Sequence, residues 1–372
     1  MPVKCQTIIN IIEQMAPKGL AEDWDNVGLH IGDPSSDVNS ILVTLDVTME
    51  TVREAAGLGV SMIVSHHPLI FKPMKNIRAD LPHGGLITEI IKNGTAVYCA
   101  HTNMDSAREG VSRVLAEKLK LKDIQVLNPD KVEKLYKITV FIPEDHADAV
   151  REAMARAGAG WIGNYSDCTF SVRGTGTFKA AEGCNPFIGQ VGELEHADEV
   201  RLETIVREKH VERVVRAMVN AHPYEEVAYD IYPLVNQGEK LGLGRAGRLE
   251  MPVKLRDFMD RVKEALNITT LRYGGNPEAV VKKVAVCGGS GAQLIHRAAF
   301  LGADVFVTGD LKYHEAQEVL TMGMNFIDAG HYATEYPIAG EIARILGEAL
   351  AKEESPVAVH VSRINYDPFG YY

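Results

Sequence analysis

No stretch of this 372-residue sequence stays apolar long enough to span a bilayer. The N-terminus also lacks the basic start and unbroken apolar core of a secretory signal. Both absences point to a cytoplasmic protein with no membrane partner. No run of lysine and arginine offers a footprint for a phosphate backbone, and the formal net charge is -11, so nucleic acid is not an expected partner. A polyanionic substrate would need a local cation. Cysteine is sparse: the five residues Cys5, Cys99, Cys168, Cys184 and Cys287 are scattered and form no CxxC pair. That excludes a disulfide framework and predicts free, buried thiols. Low-complexity segments are missing too.

What is present is an ordinary globular composition, 46% hydrophobic and 24% charged, in a chain long enough for two or three domains. Ile8, Ile9, Ile11, Ile12 and Met15 form a helical stripe. Strands are predicted at His30–Ile31, at 40–48 (SILVTLDVT), at 60–65 and at 95–100 (TAVYCA), with helices at 49–57, ending near Asn93, and at 108–119. From Leu135 the pattern changes to strand, helix, strand, repeated once. Its strands fall around 135–142, 168–172, 200–204 and 227–231, and its helices at 145–157 and around Val211 to Val219. This is the ferredoxin-like plan, with a long glycine-bearing hairpin or loop between Gly174 and Ala197. GEKLGLGRAG (238–247) marks the return to the first pattern. Strands at 283–287, 304–308, 324–328 and 357–361 then alternate with helices, the last spanning about 334–351. The expected class is α/β, with mostly parallel sheets flanked by helices in a split domain, 1–127 plus 240–372, and an inserted ferredoxin-like α+β domain over 130–235.

In such sheets ligands bind beyond the carboxyl ends of the strands. VSMIVSHHPLIF (60–71) delivers two adjacent histidines, His66 and His67, where Pro68 stops the ladder and the backbone must turn. Asp105 follows the next strand, and His331 and Glu335 stand four apart at a helix start, on one face. Alone, each has an ordinary reading: His331 with Glu335 as a solvated pair, Asp105 with Ser106 as a helix cap. Together, at the end of one sheet, three imidazoles and two carboxylates match two divalent ions with a carboxylate between them and open positions. The nitrogen and oxygen donors suit zinc first, with iron or manganese as alternatives. Asp46, Asp310 and His314 also sit near strand ends, as candidate catalytic residues that would orient imidazoles or handle protons. The turn Gly288-Gly289-Ser290-Gly291 could cradle a phosphate. It lacks the Lys-Ser/Thr of a P-loop, so tight strand-to-helix packing is the preferred reading. His222-Pro223-Tyr224-Glu225-Glu226 reads as a capping loop.

The motifs WDNVGLHIGD (24–33), SHHPLIF (65–71), AHTNMD (100–105), GLGRAG (242–247), VCGGSG (286–291), TGDLKYHE (308–315) and DAGHYATE (328–335) resemble those of the Nif-three-like dinuclear-metal proteins, among them the GTP cyclohydrolase I type 2 homologues. The resemblance covers both halves of the split domain. It carries the family's metal ligands onto His66, His67, Asp105, His331 and Glu335. It also implies a homohexameric ring, a trimer of dimers with metal sites facing an inner cavity, and an insert similar to CutA and PII proteins. That insert would serve as a trimer contact or lid, or else as a small-molecule sensor. The activity implied is a metal-dependent hydrolase acting on a nucleotide-like or phosphorylated anion, with a GTP cyclohydrolase as one version. The alternative is a metal-binding scaffold, chaperone or regulator without turnover.

Overall fold

A computed structural model describes residues 3–352, 355–364 and 367–370. The outermost residues of the expected split domain, at positions 1–2 and 371–372, lie outside these. The chain divides into two compact units, one of residues 1–131 with 241–372 and one of residues 132–240.

The first unit contains two main sheets where the sequence predicts ligands at one. The five-stranded sheet runs in the order Ala358–Val361, Ser40–Thr44, Met62–Ser65, Ala96–Cys99, Gly28–Ile31. Its first four strands are parallel and the last is antiparallel to its neighbour. Both faces are covered, as a parallel sheet requires. Ile41 and Val43 face the helices Cys5–Met15 and Pro337–Lys352, meeting Ile8, Ile12, Ile338 and Ile342. Leu42 and Ile63 face the other way, against Val52 of Met49–Gly57 and Ile87 and Ile90 of Pro82–Lys92. Full burial of each such side chain contributes roughly 1.5–3 kcal/mol.

The second sheet has six strands in the order Arg272–Gly274, Asn325–Asp328, Val305–Gly309, Val280–Ser290, Lys240–Lys254, Lys122–Val132. Its three central pairings run as parallel, parallel and antiparallel from Asn325–Asp328 to Lys240–Lys254. Val284, Val286, Val305 and Val307 pack on Leu115, Phe258 and Val262, whereas Ala285 and Phe306 face Ile295, Ala298 and Val319. The stretch between Gly247 and Lys283, for which the sequence pattern predicts no element, holds the helix Leu255–Leu266 with Leu255, Phe258 and Val262 buried.

Several expected boundaries move. The helix expected at 108–119 is Val111–Lys118, preceded by a separate short helix, Thr102–Ser106. Asp105 therefore lies inside a helical turn and does not cap the next helix. The final helix is split into His331–Glu335 and Pro337–Lys352. The strand expected to reach Thr48 ends at Thr44. The five cysteines are free thiols, but Cys184 is exposed and Cys168 half-buried, against the expectation of uniform burial.

The second unit is a four-stranded antiparallel sheet in the order Tyr229–Leu234, Leu135–Pro143, Leu194–Arg207, Thr169–Lys179. The helices Ala147–Arg156 and Val211–Ala221 pack Val150, Met154, Val214 and Met218 against Ile138, Val140 and Leu202. The Gly174 to Ala197 connection is largely a hairpin, its two strands in register from Leu194 opposite Lys179 onward.

Candidate metal centre

His66 and His67 leave the strand Met62–Ser65 while its ladder still holds. Their amides donate to the carbonyls of Thr44 (3.2 Å) and Leu45 (2.9 Å), the last such bonds before Pro68, which has no N–H to give. Ser65 Oγ donates to the His67 carbonyl at 2.9 Å and fixes the turn. Both imidazoles thus reach one place beyond the strand end.

In each ring, Nδ1 is the nitrogen held by an oxygen acceptor. His66 Nδ1 is 2.9 Å from the Ala100 carbonyl, His67 Nδ1 is 2.8 Å from Asp46 Oδ1, and His331 Nδ1 is 2.7 Å from Asp310 Oδ2. The carbonyl on His66 can only accept, so Nδ1 carries the proton and Nε2 presents a lone pair. This is the arrangement found behind metal-bound imidazoles, where the outer partner fixes the tautomer and aims the ring. His66 is fully buried, and among the described residues its Nε2 has no hydrogen-bond partner. It faces Asp105 Oδ1 at 3.6 Å and Glu335 Oε1 at 3.9 Å, too far for a hydrogen bond. An orphaned buried lone pair aimed at two carboxylates fits a cation between them.

Glu335 is the shared group. Its Oε2 lies 2.9 Å from His67 Nε2 and 3.0 Å from His331 Nε2. Gly289 leaves space for this carboxylate, because a Cβ there would sit 2.0 Å from Glu335 Oε1, and its φ of +61° is itself unfavourable for a side chain. The first unit also supplies a histidine outside the expected set. His101 shares a potential ion site with His66 and His67, and its Nδ1 is held at 2.9 Å by Asp25. Asp25 further accepts from the Thr102 amide (3.0 Å) and hydroxyl (2.5 Å), so it caps the short helix and orients the imidazole together. The signal for His101 was its place at a strand end; its partner, 76 residues earlier, carries no local spacing. Among the described residues, the other two potential ion sites are His67 with His331 and Glu335, and His66 with Asp105 and Glu335.

Ionisation follows this geometry. Burial drives the His66 pKa down to about 3, so this ring is neutral. Burial opposes the proton on His67 as well, but hydrogen bonds to Asp46 and Glu335 outweigh it and raise the pKa to about 10. His331 rises to about 9, first through its hydrogen bond to Glu335. Asp105 is pushed up by burial and by the Glu335 charge, whereas Glu335, despite its burial, is held low by the bonds from His331 and His67. Without an ion, protons on His67 and His331 balance the carboxylates.

Of the three candidate catalytic residues, Asp46 and Asp310 join the cluster through His67 and His331. Asp310 does so from a left-handed backbone, φ +58°, uncommon outside glycine. His314 does not join it. Its ring packs on Tyr313 and lies 3.2 Å from Gln317 on the exposed face of Tyr313–Thr321. The glycine turn 288–291 is no phosphate cradle either. Its amides at Gly289 and Gly291 donate to the hydroxyls of Thr334 and Thr308, both at 3.0 Å. The ligand candidates also come from two sheets, with His66, His67, His101 and Asp105 following the five-stranded one and His331 and Glu335 the six-stranded one.

The Duf34/NIF3 (NGG1p interacting factor 3) family model matches residues 3–368. The chain belongs to the NIF3 family. Relatives of this NIF3 protein include the "GTP cyclohydrolase 1 type 2 homolog" of Halalkalibacterium halodurans, 45% identical over 366 residues and 98% of each chain. The Bacillus subtilis protein of the same name is 43% identical over 369 residues and 99% of each. A crystal structure of a Bacillus cereus protein related to NIF3 superposes with a TM-score of 0.92, at 45% identity and full coverage of both chains. Among the described residues, no helix of this NIF3 chain is long and apolar enough to cross a membrane.

Proposed function

We propose that this NIF3 protein is a dinuclear metal-dependent hydrolase acting on a nucleotide-like or phosphorylated anion. The observation that carries the reading is the unpartnered Nε2 of His66, buried and facing two carboxylates inside a ring of imidazoles whose outer nitrogens are already held. His66, His67, Asp105, His331 and Glu335 would hold the ions, Glu335 being common to two of the potential ion sites, with His101 as an additional donor. Nitrogen and oxygen donors favour zinc, then iron or manganese. When bound, such ions supply Lewis acidity that lowers the pKa of water and polarises a phosphoryl or ring-carbon electrophile.

The chain's own residues supply access and positioning. The cluster is open on two sides. One cavity, of about 620 Å³, is lined by His67, His331, Asp46, Asp310 and Arg272. The other, of about 770 Å³, is lined by His67, His331, Asp105 and the rings of Trp24 and Phe71. Those two rings meet edge to face at 5.9 Å and are 60% and 48% exposed, a surface on which a flat heterocycle can lie. Asp46 and Asp310 keep His67 and His331 aimed inward, and both reach solvent, so either can pass a proton outward. The name of these relatives makes GTP the first substrate to try.

The rest of the expected organisation belongs to the same proposal. The strand order of the second unit favours a ferredoxin-like, CutA/PII-like insert, and the assembly proposed for the whole is a homohexamer. The activity is tested by assaying metal-loaded protein against GTP and a panel of nucleoside phosphates, beside Asp310→Asn. Turnover that falls about 10- to 100-fold in the variant while its ions remain bound is the expected result. Inert, fully loaded protein across the panel would favour a metal-binding scaffold.

A further inference from the structure

The second unit has a cavity of its own, of about 400 Å³, far too large for a single water and within the range of small-ligand sites. Phe178 and Phe187 form its walls with Tyr224, ring centroids 6.0 and 6.1 Å from the tyrosine. Its charged lining is all of one sign: Glu199, Glu225 and Glu226, with no lysine or arginine. Among the described residues none of these three carboxylates takes part in a salt bridge. Glu199 is fixed in place. Tyr224 Oη donates to its Oε1 at 3.0 Å, and the carboxylate rests against Gly176, where a Cβ would come within 2.1 Å of Oε2. Glu225 accepts from the Asn185 amide at 3.0 Å, tying the hairpin loop to the rim.

Aromatic faces carry negative potential, and carboxylates beside them add to it, so the occupant that gains most is a positive charge on an apolar body. An anion would meet three carboxylates and no cation. A bare divalent ion is disfavoured, because the potential ion sites among the described residues all fall in the first unit, and these carboxylates do not converge. The geometry points to a binding site for a small organic cation, an alkylammonium, enclosed by Phe178, Phe187 and Tyr224 and paired with Glu199. This goes beyond the hydrolase reading and is independent of the metal centre.

The test is calorimetric titration of the full-length, metal-bearing protein with choline and with 3,3-dimethylbutanol, its uncharged isostere. Saturable choline binding is expected, with the alcohol at least tenfold weaker. Glu199→Gln, which keeps an acceptor for Tyr224, should weaken choline at least tenfold without changing metal content or thermal unfolding. Phe187→Ala, at a half-exposed ring, should weaken it as well. Equal binding of the two isosteres would overturn the proposal, and so would no saturation at tens of millimolar, the result expected if a second copy of the chain covers the cavity. Should Glu199→Gln fail to fold, the isostere comparison on the unaltered protein still decides.

Discussion

At the residue scale, the direction in which each imidazole is held decides what the cluster can bind. His67 and His331 carry protons that a bound metal would have to displace, since only a neutral ring can coordinate. Their pKa values of about 10 and about 9 place that competition above neutral pH. At pH 7 both rings are protonated in the metal-free protein, so loading would release protons and apparent affinity would rise with pH until the rings titrate on their own. Each displaced proton adds about tenfold in affinity per pH unit in that window. Calorimetry of metal binding in buffers of different ionisation enthalpy should register uptake of protons by the buffer at pH 7 and less at pH 10, where His331 is mostly neutral but His67 is still about half protonated. Binding without proton release at pH 7 would contradict the assignment of His67 and His331.

At the element scale, the ends of strands and two very short helices assemble the centre. His66 and His67 were legible because an apolar run, two histidines and a proline already describe a strand that must stop and turn. His331 and Glu335 were legible from their spacing of four. His101 is easily missed because its orienting partner Asp25 lies far away in sequence, and His314 attracts notice because a histidine near a strand end looks the same whether its ring faces inward or lies on an exposed helix. The ligand candidates, expected at the end of one sheet, come from two, since alternation sets the local pairing and not where one sheet closes and another begins. The glycine turn shows the same limit. Its composition suits phosphate or packing, and only the threonine hydroxyls on its amides decide. Gly289→Ala should therefore act on the centre first. The added methyl displaces Glu335 and strains a left-handed backbone, costing about 1–3 kcal/mol of stability. Metal affinity should fall well beyond what that loss of stability explains, read by competition with a chelator at a temperature where the variant is folded. Unchanged affinity would mean that Glu335 is not held where Gly289 makes room.

At the scale of the whole molecule, the change of pattern at Leu135 and the return at Gly238 mark, in the sequence, much the same division as the two compact units. Each unit brings a different chemistry: imidazoles and carboxylates in the first, an acidic aromatic cavity in the second. The proposed hexamer is checked by native mass spectrometry or light scattering, which should give six times the chain mass; a monomer at micromolar concentration would refute it. Assembly and metal are separable, so a monomeric protein with a filled centre would leave the site intact.

The proposed two-ion centre is built on His66 and Glu335. Its most direct test is the metal content of protein purified without chelator or affinity-tag metal, measured by elemental analysis beside His66→Ala and Glu335→Ala, with each variant shown to be folded. About two divalent ions per chain are expected, at least one of them lost in each variant. A folded, unaltered protein that holds no stoichiometric metal, even after incubation with zinc, iron or manganese, would contradict it.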